Sequence, residues 1–501
     1  MILIFIQAVL VIGAGVGLFR LWRLATPSEP WLRYVVAAGF LGRAVLGQAL
    51  FWISWARLPV ARSMQLGDGL WFFARDALLY VPFAFNGARH GLWAIITFDH
   101  TAPSVTYIQT LSLTTWLFGL VTSAGLLLNL LCFLGMIALL VHWPVRTEAA
   151  RKAAAVMIAA ISLTPAFVLW SMQPLKDTFF QFLVVAFVAS CAWWQRAWSV
   201  PGRAGARFGI GALLSFLMYM LAGIRWYFAF ALIIAASLFL FLTAFRTAGR
   251  RSVAFSAAIV LTIVFCRVLV AAAKPYMPPQ IIAAMTPSTA LGTIGKLPVV
   301  LLGGVDSARD GFQRAGGKTA IVVPATPVAV ASVKPLPKAP APLPVVPRPV
   351  AETAARPQHE VVQPAVPPVV QPQSRASRLF AGVSATVLPR TIGESLGLFH
   401  IGGGRSMLWF TELDTLVFDV ILLLAIAAVV IRFRTSLRNP LTWFVLVLTV
   451  LVGAPLVYTV TNYGTLFRLR EMIYLGLLFT PLAVVTAAPD RARVDDATEA
   501  A

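Results

Sequence analysis

Basic side chains stand at the ends of three apolar segments, in positions that suit the binding of a phosphate group. In VLWSMQPLKDTFFQFLVV (168–185), Lys176 would meet a lipid-linked phosphate, and the neighbouring Asp177 would orient it. Arg225, in LAGIRWYFAFALII, can bind an anion because a guanidinium group pairs with phosphate in a forked geometry. The residue types therefore predict cations for an anionic ligand at these helix ends.

Simpler explanations exist for both positions. Asp177 suits the positive end of a helix dipole, so it can be a residue of a capped helix start. Lys176 can extend its charge to the lipid headgroups. Arg225 can do the same at the end of a span, with Tyr227 in an aromatic belt. The sequence leaves both explanations open.

The third segment, TNYGTLFRLREMIYLG (461–476), carries Arg468 and Arg470 ahead of the last apolar run. We favour a clamp for a phosphate or pyrophosphate group. The alternative is a pair between Glu471 and Arg468, which are three residues apart and would be neighbours on a helix.

A carboxylate and a phenol occur at helical spacing in FFARDALLYVPFAFNGARHG (72–91). Asp76, Tyr80 and Ala84 are four residues apart, so they share one helix face and point towards a neighbour. Asp68, in LGDGLWF, is the competing carboxylate. An amphipathic helix at the membrane surface, with aromatic residues at headgroup level, explains this motif equally well.

Arg43 lies inside an apolar segment, in AAGFLGRAVLGQ. A charge is costly in lipid, so Arg43 should face the protein interior in a functional or a packing role. The three cysteines, Cys132, Cys191 and Cys266, also lie in apolar segments and show no metal-ligand spacing. We expect buried thiols and assign no metal-binding residue.

The composition is that of a membrane protein. Of 501 residues, 59% are hydrophobic and 12% are charged, whereas soluble proteins have about 25% charged residues. Several apolar runs reach the roughly 20 residues that cross a bilayer. The net charge of +21 comes from basic residues that flank spans, so the lipid bilayer is the expected partner and nucleic acid is not.

We predict an all-α, polytopic transmembrane protein with about 11 spans and a large outer loop interrupted by a Pro-rich disordered insertion. The predicted spans are 2–19, 35–56, 121–142, 153–170, 177–195, 208–224, 226–245, 252–272, 413–431, 441–460 and 472–488. Residues 104–120 could form an additional re-entrant or interfacial helix.

Lys and Arg residues recur in alternate loops, and the positive-inside rule turns this pattern into an orientation. It predicts an N-terminus outside and a C-terminus in the cytoplasm, in the cytoplasmic (inner) membrane of a bacterium. The first span has no basic n-region or convincing cleavage site, so we expect it to be retained. The motifs around Asp76, Lys176, Arg225 and Arg468 then share the outer side.

The chain divides into four predicted regions. They are the N-terminal transmembrane region 1–272 with its first outer loop 57–120, the outer periplasmic segment 273–412, the C-terminal transmembrane helices 413–488 and the cytoplasmic tail 489–501. Within the outer segment, residues 322–372 include KPLPKAPAPLPVVPRPV. Such a polyproline-like stretch cannot pack as a core, which predicts a disordered linker.

In four motifs the chain resembles uncharacterised bacterial envelope-polysaccharide membrane proteins. The motifs are D-A-x-x-Y-x-x-x-A in the first outer loop, W-S-x-x-x-x-K-D at a span start, R-x-Y after the sixth span and N-x-G-T-x-x-R-x-R before the last. Those proteins resemble in turn the GT-C superfamily of polyprenyl-phosphate-sugar glycosyltransferases, including the dolichyl-phosphate-mannose-protein mannosyltransferase-like group. The resemblance covers most of the membrane part.

This resemblance implies transfer of a sugar from a polyprenyl-phosphate-linked donor to a glycan or protein acceptor on the outer side. It implies a carboxylate base in the first outer loop, which is Asp76 here, with Asp68 as the alternative. The departing phosphate needs cations. We assign them to Lys176, Arg225, Arg468 and Arg470. The supporting residues are Asp177, Tyr80, Tyr227, Glu471 and Arg43. No cofactor is certain, and the need for a divalent cation stays open.

Two other functions remain open. An O-antigen polymerase- or ligase-like protein also joins glycans from a polyprenyl diphosphate, and four residues of the outer segment would suit it: Arg309, Arg314, His400 and Arg405. The third function is that of a non-catalytic membrane partner or a transporter of a polysaccharide pathway. A transporter typically has inverted repeats and broken spans near the midplane, and the sequence shows neither.

Overall fold

The protein is a bundle of α-helices, as a computed structural model shows. The structure describes residues 2–98, 104–119, 123–144, 147–200, 203–247, 250–273, 277, 380, 383–396, 408–459 and 467–486. The one sheet among these residues is a short antiparallel hairpin, β1 (Gln65–Gly67) and β2 (Leu70–Trp71). The all-α class predicted from the sequence is confirmed.

The helices follow one another closely along the chain. They are α1 (Ile2–Ala25), α2 (Pro30–Trp55), α3 (Ala77–His90), α4 (Leu92–Ile96), α5 (Val105–Phe118), α6 (Ser123–Val141), α7 (Glu148–Leu163), α8 (Pro165–Ser171), α9 (Lys176–Ser199), α10 (Ala204–Ile224), α11 (Trp226–Arg246), α12 (Arg251–Ala273), α13 (Arg390–Ser395), α14 (Leu408–Ile431), α15 (Phe433–Arg438), α16 (Pro440–Thr459) and α17 (Glu471–Thr486). A helical turn at 467–469 directly precedes α17.

The long helices make this a multi-pass membrane protein. Within the described residues, eight helices are long and apolar enough to cross a membrane, and a bent pair, α7 with α8, would bring the number to nine. Two further predicted spans coincide with α1 and with the shorter apolar helix α6. Every span predicted from the sequence therefore corresponds to a helix or to the bent pair.

The fourth predicted span is not one straight helix. The axes of α7 and α8 differ by 53° at a break around Thr164. Thr164 precedes Pro165, and a residue before proline is pushed out of the helical region, as its ψ of 128° shows. No broken span was predicted from the sequence, so the bend at Thr164 corrects that prediction.

The core of the bundle is built around α9. In its most apolar stretch, 89% of the residues are buried, and α9 packs against α6, α10, α8 and α17. Aromatic side chains fill the interior: Phe187 stacks on Phe444 with ring centroids 6.0 Å apart, and Phe180 meets Phe228 edge-on at 4.7 Å. A helix that is apolar all round is expected in such a central position.

The first long loop folds into a helical layer over one end of the bundle. The hairpin contacts α2, while α3 and α5 pack against each other and α5 also contacts α6 and α10. The helix predicted at 104–120 is present as α5. This layer covers the end of the bundle where α9, α11 and α17 begin.

Some predictions concern residues outside those that the structure describes. The Pro-rich linker 322–372 lies there, as does most of the predicted outer segment and the tail 489–501. So do four residues that favoured a polymerase or ligase, namely Arg309, Arg314, His400 and Arg405.

Candidate functional site

Asp177 is the centre of a group of charged side chains at the covered end of the bundle. It lies in the first turn of α9 and is fully buried. Its Oδ1 accepts a hydrogen bond from Arg225, and its Oδ2 accepts bonds from Nε and Nη2 of Arg468 at 2.9 and 2.6 Å. The helix start positions the carboxylate, and two arginines neutralise it.

Arg225 reaches Asp177 from the junction of two spans. It is the single residue between α10 and α11, and it is buried. Its guanidinium group lies over the ring of Phe180, 4.7 Å from the centroid, next to Asp177 on α9. Tyr227 lies two residues further on, is exposed, and packs its ring against Trp226. Arg225 therefore faces the protein interior, and no lipid headgroup.

Arg468 joins the buried carboxylate to an accessible one. While Nε and Nη2 hold Asp177, Nη1 donates to Oδ2 of Asp76. The Asp76 side chain is 52% exposed and the Arg468 side chain 16% exposed. The ring of Trp170, at the end of α8, lies 5.7 Å from the guanidinium carbon of Arg468. One arginine thus connects the first long loop, α9 and the chain before α17.

Lys176 lies on the other side of the group. Its Nζ donates to Ser104 Oγ at 2.7 Å and lies 5.5 Å from the ring centroid of Tyr80. Ser104 in turn donates to the backbone carbonyl of Ile224, next to Arg225. Lys176 is half-buried and points into the protein. The sequence analysis missed Ser104, because a lone serine in a polar loop gives no signal.

The helix face predicted from Asp76, Tyr80 and Ala84 is present. Asp76 directly precedes α3, and the Tyr80 and Ala84 side chains are buried. The Tyr80 ring meets the Tyr107 ring edge-on at 5.3 Å. Burial, and then the charge of Asp76, raises the pKa of the Tyr80 phenol well above its usual value, so this group stays neutral. We call Asp76, Lys176, Asp177, Arg225 and Arg468 the Asp177 cluster.

Glu471 lies beside this cluster but has a different partner. It begins α17, is 2% exposed, and accepts a hydrogen bond from Gln181 Nε2 at 2.7 Å. The pair between Glu471 and Arg468 that the sequence allowed does not form, because Arg468 uses its donors on Asp76 and Asp177.

Arg470 lies outside the Asp177 cluster. Its Nη2 donates to Oδ2 of Asp414 at 2.6 Å, and its Nη1 donates to Thr415 Oγ1 at 3.0 Å. The other Asp414 oxygen accepts from the backbone amide of Ala166, at the start of α8. Tyr474 donates to the Asp414 carbonyl. We call Asp414, Thr415, Arg470 and Tyr474 the Asp414 cluster.

Arg43 and Asp68 also lie elsewhere. Arg43 is buried and donates to the carbonyls of Ser162 and Ile161 at 2.9 and 2.7 Å, so it caps the end of α7 at the bend. This is the packing role that the sequence left open. Asp68 is an exposed residue in the turn between β1 and β2 and has a positive φ of 51°.

Asp414 is the important side chain that the sequence analysis did not single out. It lies near the start of a predicted span, and a carboxylate at such a position is costly unless it is paired. That rule would have marked it as a partner for one of the two arginines at 468 and 470. The two-residue spacing of these arginines was a second signal that they have different partners, because residues two apart on a helix do not face the same neighbour.

The Asp177 cluster can bind an anion and accept a proton. Asp76 is accessible and pairs with Arg468, so its carboxylate is placed where it can take a proton from a bound hydroxyl group. Lys176 and Arg468 carry the charge that an arriving phosphate would need. Within the described residues no group of three or more His, Cys, Asp or Glu side chains could hold a metal ion. Both carboxylates of the cluster are paired with arginines instead.

Comparison of the chain with protein-family models, with curated proteins and with solved structures finds no match.

Proposed function

We propose that this chain is an integral membrane glycosyltransferase of cell-envelope polysaccharide synthesis or glycan modification. It moves a sugar from a polyprenyl-phosphate donor to a hydroxyl group of a glycan or protein acceptor, at the outer face of a bacterial cytoplasmic membrane. One observation carries the proposal: the half-exposed carboxylate of Asp76 shares Arg468 with the buried carboxylate of Asp177. A base and a phosphate-binding cation are then adjacent at one end of the spans.

The proposed reaction needs both groups. The acceptor oxygen attacks the anomeric carbon, and its proton passes to Asp76. The bond between that carbon and the phosphate oxygen breaks, and polyprenyl phosphate leaves with the electron pair. Arg468 and Lys176 stabilise the charge on this leaving group, as positioned cations do at a departing phosphate.

Arg225 and Arg470 have other roles in this mechanism. Arg225 is 3% exposed and binds Asp177, so it positions Arg468 through the shared carboxylate. Arg470 is held within the Asp414 cluster and is left out of the phosphate-binding set. The proposal thus keeps two of the four predicted cations in contact with substrate.

The test compares two carboxylates of the same loop. Asp76→Asn and Asp68→Asn would be expressed in a strain that lacks the gene, at equal membrane levels. Lipid extracts would be measured for polyprenyl-phosphate sugars, and the envelope for its glycan. We expect Asp76→Asn to accumulate the lipid-linked donor and lose the glycan, while the matched Asp68→Asn behaves as the wild type.

Full glycan synthesis by Asp76→Asn, in a strain where deletion abolishes it, would overturn Asp76 as the base. Loss in Asp68→Asn alone would move the base to the hairpin turn. Equal loss in both variants would show that the loop, and no particular carboxylate, is required.

A transporter of a polysaccharide pathway is the second candidate, and the bend between α7 and α8 favours it. Broken spans often line the substrate sites of transporters. Purified protein in detergent separates the two functions, because no membrane barrier exists there. A transferase converts donor and acceptor under these conditions, whereas a transporter leaves both unchanged.

A further inference from the structure

The pair of Glu471 and Gln181 is buried inside the bundle and incompletely hydrogen-bonded. Gln181 Nε2 donates to Glu471 Oε2 at 2.7 Å, and both side chains are nine-tenths buried or more. The two remaining oxygens, Glu471 Oε1 and Gln181 Oε1, have no hydrogen-bond partner within the described residues. Two acceptors are therefore left without a donor in a place where an unmade bond is costly.

Ionisation of Glu471 would leave both of these oxygens without a hydrogen-bond donor. An ionised carboxyl group can only accept hydrogen bonds, and so can the amide oxygen of Gln181. A protonated carboxyl group has an O–H donor instead. If Oε1 of Glu471 carries the proton and Gln181 Oε1 accepts it, acid and amide form a reciprocal pair with two hydrogen bonds. Both orphaned oxygens are then satisfied by one proton.

The charged neighbours of Glu471 do not replace this proton. The groups that face it are Asp177 from α9, Arg225 from the junction of α10 and α11, and Arg468 from its own segment. Arg225 and Arg468 both bind Asp177, and neither forms an ion pair with Glu471. Asp177 repels a second negative charge nearby. An ionised Glu471 would thus be a buried charge without an ion-pair partner.

We propose that Glu471 is a proton-binding site, and that its carboxyl group is protonated and paired reciprocally with Gln181 at neutral pH. As the chain folds, Oε1 takes up this proton from the buffered solvent. Glu471 then contributes no charge to the end of the bundle.

This assignment gives the Asp177 cluster an excess of positive charge. Its cations are Lys176, Arg225 and Arg468, and its carboxylates are Asp76 and Asp177. With Glu471 neutral and Lys176 protonated, one positive charge is left over, which matches the single negative charge of a phosphodiester. With Glu471 ionised, the site would be neutral and would not favour an anion. This consequence, unlike the proton itself, rests on the proposed function.

Infrared spectroscopy of the full chain in lipid nanodiscs tests the proton directly and needs no substrate. A protonated carboxyl group has a carbonyl stretch that carboxylates lack and that moves to lower frequency in D2O. We expect such a band at pH 7 in the wild type and its loss in Glu471→Gln. Glu148→Gln is the matched control, because Glu148 is exposed and paired with Lys152, and it should leave the band unchanged.

A second variant covers a failure of Glu471→Gln to fold. Glu471→Asp keeps a carboxyl group with a shorter side chain, so the band should move in frequency and remain. Absence of any protonated-acid band from the wild type at pH 7, or an identical band in folded Glu471→Gln, would overturn the proposal. Since no donor sugar enters this experiment, its outcome is independent of whether the chain is a glycosyltransferase.

Discussion

Arg468 and Arg470 are two residues apart, and each binds a buried aspartate, yet their surroundings differ. Arg470 is 2% exposed, and its partners Asp414 and Thr415 are buried. Arg468 is 16% exposed, and one of its partners is the half-exposed Asp76. The same pair of residue types therefore forms a closed contact in one place and an accessible one in the other.

The Asp414 cluster ties three elements together without reaching the surface. It joins the segment before α17 to the start of α14 and, through the Ala166 amide, to the start of α8. Arg43 holds the other side of the same bend by capping α7. Since α8 carries Trp170 to Arg468, this closed cluster fixes the geometry of the accessible one.

The largest expected effect is the loss of the closed pair. Arg470→Met leaves Asp414 buried without its cation, which should lower the free energy of unfolding by about 3–5 kcal/mol. Denaturation of the full chain in detergent micelles measures this change. The double variant Arg470→Met/Asp414→Asn removes both charges and keeps an oxygen for the Ala166 amide. It should recover much of the loss, and a single variant as stable as the wild type would contradict the structural role.

A smaller loss of stability is expected from Arg468→Lys. Lysine keeps the charge but cannot make the forked contact with Asp177, and Arg225 still neutralises that carboxylate. We expect the free energy of unfolding to fall by about 1.5–3 kcal/mol, the value of hydrogen bonds to charged groups. The same denaturation experiment measures it. A loss larger than that of Arg470→Met would reverse the comparison between the two clusters.

Asp76→Asn should change stability least among the cluster residues. Its carboxylate is half exposed, and exposed ion pairs contribute about 0.2–1 kcal/mol. Thermal unfolding should give nearly the wild-type midpoint, whereas the glycan is lost. A midpoint as low as that of Arg470→Met would show that Asp76 is a structural residue.

Lys152→Ala should give the smallest loss of stability among these variants. Lys152 pairs with Glu148 four residues away on the exposed face of α7, and both side chains are largely in solvent. We expect no measurable change in unfolding or in glycan synthesis. A clear loss of either would point to a binding surface at that end of α7.

The spans could be predicted from the sequence, because about 20 apolar residues in a row have few alternatives to a membrane helix. The bend at Thr164 was missed, although Pro165 was visible inside the predicted span 153–170, because membrane helices tolerate proline and the apolar run continues through it. The convergence of Asp76, Asp177, Arg225 and Arg468 was only a hypothesis. Hydropathy gives the order of helices along the chain and not which of them are neighbours.

The two arginines show this limit most clearly. The sequence analysis treated Arg468 and Arg470 as one clamp because they are close in the chain. Their side chains point in different directions because of the helical turn. Arg468 binds Asp177 on α9, whereas Arg470 binds Asp414 on α14. The role of Arg470 depends on its partner Asp414. The packing of α14 against α17, which the sequence does not reveal, brings Asp414 close to Arg470.

The most direct test of the account is the yield of envelope glycan from Asp76→Asn and from Arg470→Lys, each measured per amount of folded protein in the membrane. The account predicts a loss of at least about 100-fold for Asp76→Asn, as for removal of a general base, and a near wild-type yield for Arg470→Lys. Normal yield from Asp76→Asn, or a greater loss from folded Arg470→Lys, would contradict the assignment of chemistry to the accessible cluster.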